Sequence, residues 1–122
     1  SPKQQAKKAV SAFYSYEQQA DFSNSWSLFH STMQERFDKG TYIQDRAHVF
    51  MGHFGVETFI FDISKPTKVN NWILDDESPP LDLVYSMMVV QTYKGKYGNF
   101  NIVQQVIAVK EDGQWKVAWD YN

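Results

Sequence analysis

The sequence of 122 residues contains no cysteine, which excludes a disulfide framework, a thiolate nucleophile and a cysteine-ligated zinc site. Six glycines and four prolines are too few for a collagen-like or low-complexity chain. Wholly aliphatic or thioether runs reach only four residues, as in Met87-Met88-Val89-Val90, far short of the roughly 20 apolar residues of a membrane-spanning helix. Neither sign of charge predominates. Twelve basic residues face fourteen acidic ones, a net charge of −2, and no segment forms a polybasic arm or an acidic tail. The chain therefore has no general attraction for phosphate backbones, and no nucleic-acid partner is expected.

What is present is ordinary globular material, 43% hydrophobic and 21% charged. Its length fits one domain spanning residues 1–122. Aromatic residues are plentiful, with four Trp, seven Tyr and nine Phe. Such bulk lets a small domain bury a useful core, and it also suits the walls of a cavity.

The front half reads as three helices. Over residues 3–20, Ala6, Val10, Phe13 and Glu17 recur at helical spacing, with Ala9, Tyr16 and Ala20 beside them. A second helix follows a cap at Asp21, its stripe made of Phe22, Trp26, Phe29, Met33 and Phe37, with Lys39-Gly40 as the stop. Thr41 and Gln44 have capping-box spacing, and Ile43, Ala47, Phe50 and Phe54 carry a third helix to Gly55.

After Gly55 the period changes from about 3.6 to 2. Phe59, Phe61 and Ile63 alternate along a first strand, and Val69 to Leu74 forms a second. Leu83 to Tyr93 is a long strand, apolar on both faces from Tyr85 to Val90 and hence central. Lys94 to Gly98 makes a turn, and Phe100 to Lys110 returns as another long strand. Asp112-Gly113 is a strong hairpin signal, after which Trp115, Val117 and Trp119 share a face of the last strand. This order predicts an α+β fold, with three N-terminal helices packed on a curved, mostly antiparallel sheet.

Three helices, long hairpins, and the ending Val109-Lys110-Glu111-Asp112-Gly113-Gln114-Trp115-Lys116-Val117-Ala118-Trp119-Asp120 resemble the NTF2-like (cystatin-like cone) superfamily. Within it, the ending resembles the N-terminal domain of staphylococcal-type penicillin-binding proteins and related Gram-positive surface proteins. The resemblance implies a non-catalytic accessory or ligand-binding domain, extracytoplasmic and either membrane-anchored or secreted. The polar, lysine-containing start and the cysteine-free chain suit that expectation.

Enzymes on this fold, isomerases and dehydratases, place an aspartate or a His–Asp pair inside the cone, where a partly dry pocket tunes proton affinity. The residue types available for such work are His30, His48, His53, Asp62 and Asp120, with Tyr14 or Tyr85 as hydroxyl donors. Ordinary structural roles are the expectation for each histidine, and no catalytic motif of the superfamily falls on these positions. His48 and His53, five apart, diverge by about 140° on a helix and cannot chelate one ion from one face. Asp75-Asp76-Glu77 lacks the alternating spacing of a calcium loop. No metal or cofactor is expected.

The expected ligand site is the mouth of the cone, with Tyr14, His30, His53, Tyr85 and Trp119 as its candidate residues. Aromatic walls with few charges suit a small apolar or amphipathic ligand; a protein partner is the other expectation. Gln91, Gln104 and Gln105, polar within apolar strands, either face solvent or line a polar cavity. Two readings of other classes stand beside binding. One is a small enzyme using a His or Asp base on a hydrophobic substrate. The other is a homodimerising scaffold in which two open sheets cover each other.

Overall fold

The chain enters its first helix through a reciprocal cap. Ser1 Oγ accepts from the Gln4 amide at 3.2 Å, Gln4 Oε1 accepts from the Ser1 amino group, and Pro2 occupies the first helical position. The computed structural model describes residues 1–49, 59–74, 76–95 and 98–120. Helix α1 runs Pro2–Gln18, α2 Phe22–Ser27, α3 Ser31–Arg36 and α4 Lys39–Ala47; strands follow at Phe59–Ile63 (β1), Thr67–Trp72 (β2), Leu81–Gly95 (β3), Gly98–Glu111 (β4) and Gln114–Ala118 (β5).

The helix expected over residues 22–37 is two helices, because the edge of the sheet captures the chain between them. Leu28 C=O accepts from the Val117 N–H, and the His30 N–H donates to Val117 C=O, both at 2.9 Å. Phe29 thereby forms a parallel bridge to Val117, and the edge of β5 is satisfied by backbone that would otherwise have continued a helix. The side-chain periodicity survives the break. Phe22, Phe29 and Met33 are buried, while Trp26 and Phe37 pack partly buried against the same core.

The next helix also starts earlier than its sequence pattern indicates. Asp38 is the cap of α4, its Oδ2 accepting from the Thr41 N–H at 3.2 Å, so Gly40 lies inside the first turn and Thr41 is not the cap. The expected continuation through Phe50, Phe54 and Gly55 lies outside the described residues.

The sheet is antiparallel throughout its named pairings, in the order β1-β3-β4-β5, with β2 also on β3. Strand β3 is central as its two-sided apolar pattern predicts: Leu81–Ser86 pairs with β2 and Val89–Tyr93 with β1. The last hairpin turns at Asp112 and Gly113, both with positive φ (52° and 80°), which sets Lys110 opposite Trp115 and Ala108 opposite Val117.

Helix α1 lies across one face of this open sheet. Phe13 packs on Trp119 with ring centroids 5.8 Å apart, and Tyr14 on Phe61 at 5.9 Å. Each large side chain fully buried this way contributes about 1.5–3 kcal/mol. The opposite face keeps Ile60, Met88 and Val103 exposed. The architecture is thus α+β, N-terminal helices on a mostly antiparallel sheet, with four helices among the described residues where the sequence pattern indicated three.

Candidate functional site

Glu17 occupies an apolar phase of α1 and is only 3% exposed. A carboxylate so deeply buried requires hydrogen bonds to offset its lost hydration, and here both oxygens are saturated. Oε1 accepts from Arg46 Nη2 at 2.6 Å and Nε at 3.1 Å. Oε2 accepts from Ser25 Oγ at 2.6 Å and Tyr42 Oη at 3.0 Å. Helices α1, α2 and α4 are joined at this one group.

The cluster is electrostatically self-consistent. Burial disfavours the Arg46 cation, but the neighbouring Glu17 charge outweighs it and holds the guanidinium protonated beyond its ordinary range. Burial pushes the Tyr42 phenol well above its ordinary range; Arg46 opposes this, and Glu17 reinforces it. Tyr14 and Tyr93 are raised in the same way, burial first in each case. These phenols keep their protons at any physiological pH and do not act as bases.

Arg46 is also one wall of a cavity of about 430 Å³ between the α3–α4 corner and the sheet. Phe37, Tyr42 and Trp119 give it aromatic walls. Arg36, Asp38 and Asp45 supply its other charges, and Thr41 and Gln104 its neutral polar groups. The Arg46 guanidinium lies 5.3 Å from the Tyr42 ring centroid and that of Arg36 5.9 Å from Phe37. Behind the cavity, the fully buried Tyr14 donates its hydroxyl to Gln104 Oε1 at 3.1 Å.

Of the five residues expected at the site, Trp119 lines this cavity and Tyr14 reaches it through Gln104. Tyr85 stands apart, its ring 5.7 Å from that of Trp115, whose Nε1 donates to Gln5 Oε1 at 3.0 Å. His30 caps α3, its Nδ1 accepting from the Thr32 N–H at 3.1 Å and its Nε2 lying 3.3 Å from Glu111 Oε2. His53 lies outside the described residues. His48, Asp62 and Asp120 are exposed.

Glu111 ties the last hairpin to α3. Its Oε1 accepts from the Ser31 N–H at 3.0 Å, and Ser31 Oγ donates to Oε2. Burial alone would raise this carboxyl; the two Ser31 donors, aided by His30 and Lys116, hold it below the ordinary glutamate range.

The glutamines divide as strand alternation requires. Gln104 faces the cavity, Gln91 is buried and donates to Tyr93 Oη at 2.8 Å, and Gln105 is exposed and donates to Ser86 Oγ. Sequence reasoning missed Glu17 and Arg46 as a pair. The signal for Glu17 was its charge within an apolar stripe; Arg46 shares a helical phase with Tyr42 four residues before it.

Among the described residues no three His, Asp or Glu side chains are grouped to hold a metal ion, and no helix is long and apolar enough to cross a membrane. No family model matches the chain, and no curated protein matches it.

Proposed function

We propose that this chain is a non-catalytic ligand-binding domain of NTF2-like type, and that its ligand is a small apolar or amphipathic molecule held in the cavity beside Trp119. One observation carries the reading. The carboxylate buried beside the cavity, Glu17, already accepts four hydrogen bonds, while the aromatic cavity next to it stays open. A saturated carboxylate is a poor base, and an aromatic cavity with a few polar groups is how small-molecule sites are built.

The test is a titration of the isotope-labelled protein with naphthalene, followed by nuclear magnetic resonance. Binding in the cavity moves the Trp119 indole signal and leaves that of Trp115, held by Gln5, in place. A Trp119 signal unmoved up to the solubility limit of naphthalene overturns the reading.

The likeness of the Val109–Asp120 hairpin to Gram-positive surface proteins extends the proposal to location: the domain works outside the cytoplasmic membrane. Protease added to intact cells should then remove it. Full protection in intact cells, with cleavage after lysis, sinks that part.

A further inference from the structure

Gln104 combines two properties at the cavity wall. One end of its amide is held: Oε1 accepts from the buried Tyr14 hydroxyl at 3.1 Å. The other end, Nε2, makes no hydrogen bond with a described residue although Gln104 lines the cavity. Tyr14 is fixed by rings packed on it from Phe13 and Phe61, so it orients the amide rather than following it.

The charges of the wall cancel. Arg36 and Arg46 face Asp38 and Asp45, and Arg46 is bound to Glu17 behind it. An anion would meet two aspartates beside Arg36, and in Arg46 a charge that Glu17 already offsets. A cation would find two of the three aromatic rings, Tyr42 and Phe37, already faced by the protein's own guanidinium groups. Either ion would lose hydration without a dedicated counter-charge.

Resting on the ligand-binding reading above, we infer that the cavity selects an uncharged, ring-containing ligand bearing a carbonyl-type acceptor, and that Gln104 Nε2, oriented by Tyr14, donates to that acceptor. The ring lies against Trp119, the aromatic wall without a facing guanidinium. Gln104 is then a specificity-determining residue. It distinguishes ligands that share a shape and differ in one polar atom.

Four probes with a common ring system test this: naphthalene, 2-acetonaphthone, 2-naphthoate and 2-naphthylmethylammonium, each titrated against the Trp119 indole signal. The ketone should bind about five- to tenfold more tightly than naphthalene, the worth of one hydrogen bond to a neutral donor, and more tightly than either ion. On adding the ketone, but not naphthalene, the Gln104 side-chain amide protons should shift downfield. In Tyr14→Phe/Gln104→Met, which removes both partners of the internal hydrogen bond together, naphthalene affinity should stay within about twofold while the ketone's advantage disappears. Three results overturn the inference: an ion binding more tightly than the ketone, a ketone no better than naphthalene, or an advantage that survives the double substitution. The amide-proton shift decides the matter in the unaltered protein if the double variant does not fold. Failure of every probe to move Trp119 overturns instead the ligand-binding reading, and this inference with it.

Discussion

Glu17 on α1 and Arg46 on α4 stand 29 positions apart in sequence and meet at 2.6 Å, the carboxylate side chain 1% exposed and the guanidinium 26%. The pair staples α1 to α4 while Arg46 also walls the cavity, so stability and the shape of the site depend on one contact. Arg46→Met should cost about 3–5 kcal/mol, because it strands a buried carboxylate. Glu17→Leu/Arg46→Met should cost less than the sum of the two single changes, since no charge is left unpaired. Urea unfolding of the four proteins measures the cycle. Additive losses would show that the two side chains contribute independently.

Glu111 makes stability depend on acid in a defined direction. Its folded-state carboxyl is held below the ordinary value of 4.5 by the Ser31 donors, with His30 and Lys116 assisting, against the opposing effect of burial. A carboxyl depressed on folding stabilises fully above its unfolded value and loses that contribution as pH falls through its folded value. Wild type should therefore exceed Glu111→Gln in urea midpoint at pH 7, and the gap should narrow as pH falls below 4.5. A gap independent of pH would remove the carboxylate charge from the explanation.

The two tryptophans of the last hairpin share a strand face and differ in surroundings. Trp119 is buried against Phe13 and Phe29, with ring centroids at 5.8 and 5.1 Å. Trp115 is half-buried at the end of the strand, where Tyr85 and Gln5 meet it. Trp119→Ala should cost about 3–5 kcal/mol, as for large aromatics cut from a core, and Trp115→Ala about half of that or less. Equal losses in denaturant midpoint would show that the hairpin end is as tightly packed as its base.

Much of the fold was readable because period and turn chemistry are local. The alternation from Phe59 to Ile63, the long apolar β3 and the Asp112-Gly113 turn each depend on neighbours within a few residues. The break at Leu28–His30 was not readable, because it depends on Val117, which satisfies its own edge groups through that backbone. The start of α4 was misplaced for a competing local reason: Asp38 and Thr41 both have cap chemistry, and Asp38 accepts the bond from Thr41. At the site, Trp119 and Tyr14 were legible as bulky aromatics. Glu17 joined to Arg46 was not, since nothing in one helix states which residue of another will face it.

Two glycines allow a separation of backbone conformation from packing. At Gly113 an added Cβ meets nothing within 4 Å, yet φ is +80°. Gly113→Ala should therefore cost about 1–2 kcal/mol through left-handed strain alone, with no clash to relieve. Gly40 sits in the first turn of α4, and there an added Cβ lies 3.6 Å from Asp38 Oδ2, an ordinary contact. Gly40→Ala should gain about 0.5–1 kcal/mol by removing freedom from the unfolded chain and improving helix propensity. The opposite signs, read as thermal or urea midpoints, check the hairpin turn and the helix start in one experiment. A loss at Gly40 would mean that the Asp38 cap cannot tolerate the methyl group. A neutral Gly113→Ala would mean that the turn relaxes to a conformation other than the positive-φ pair that sets the register of β4 and β5.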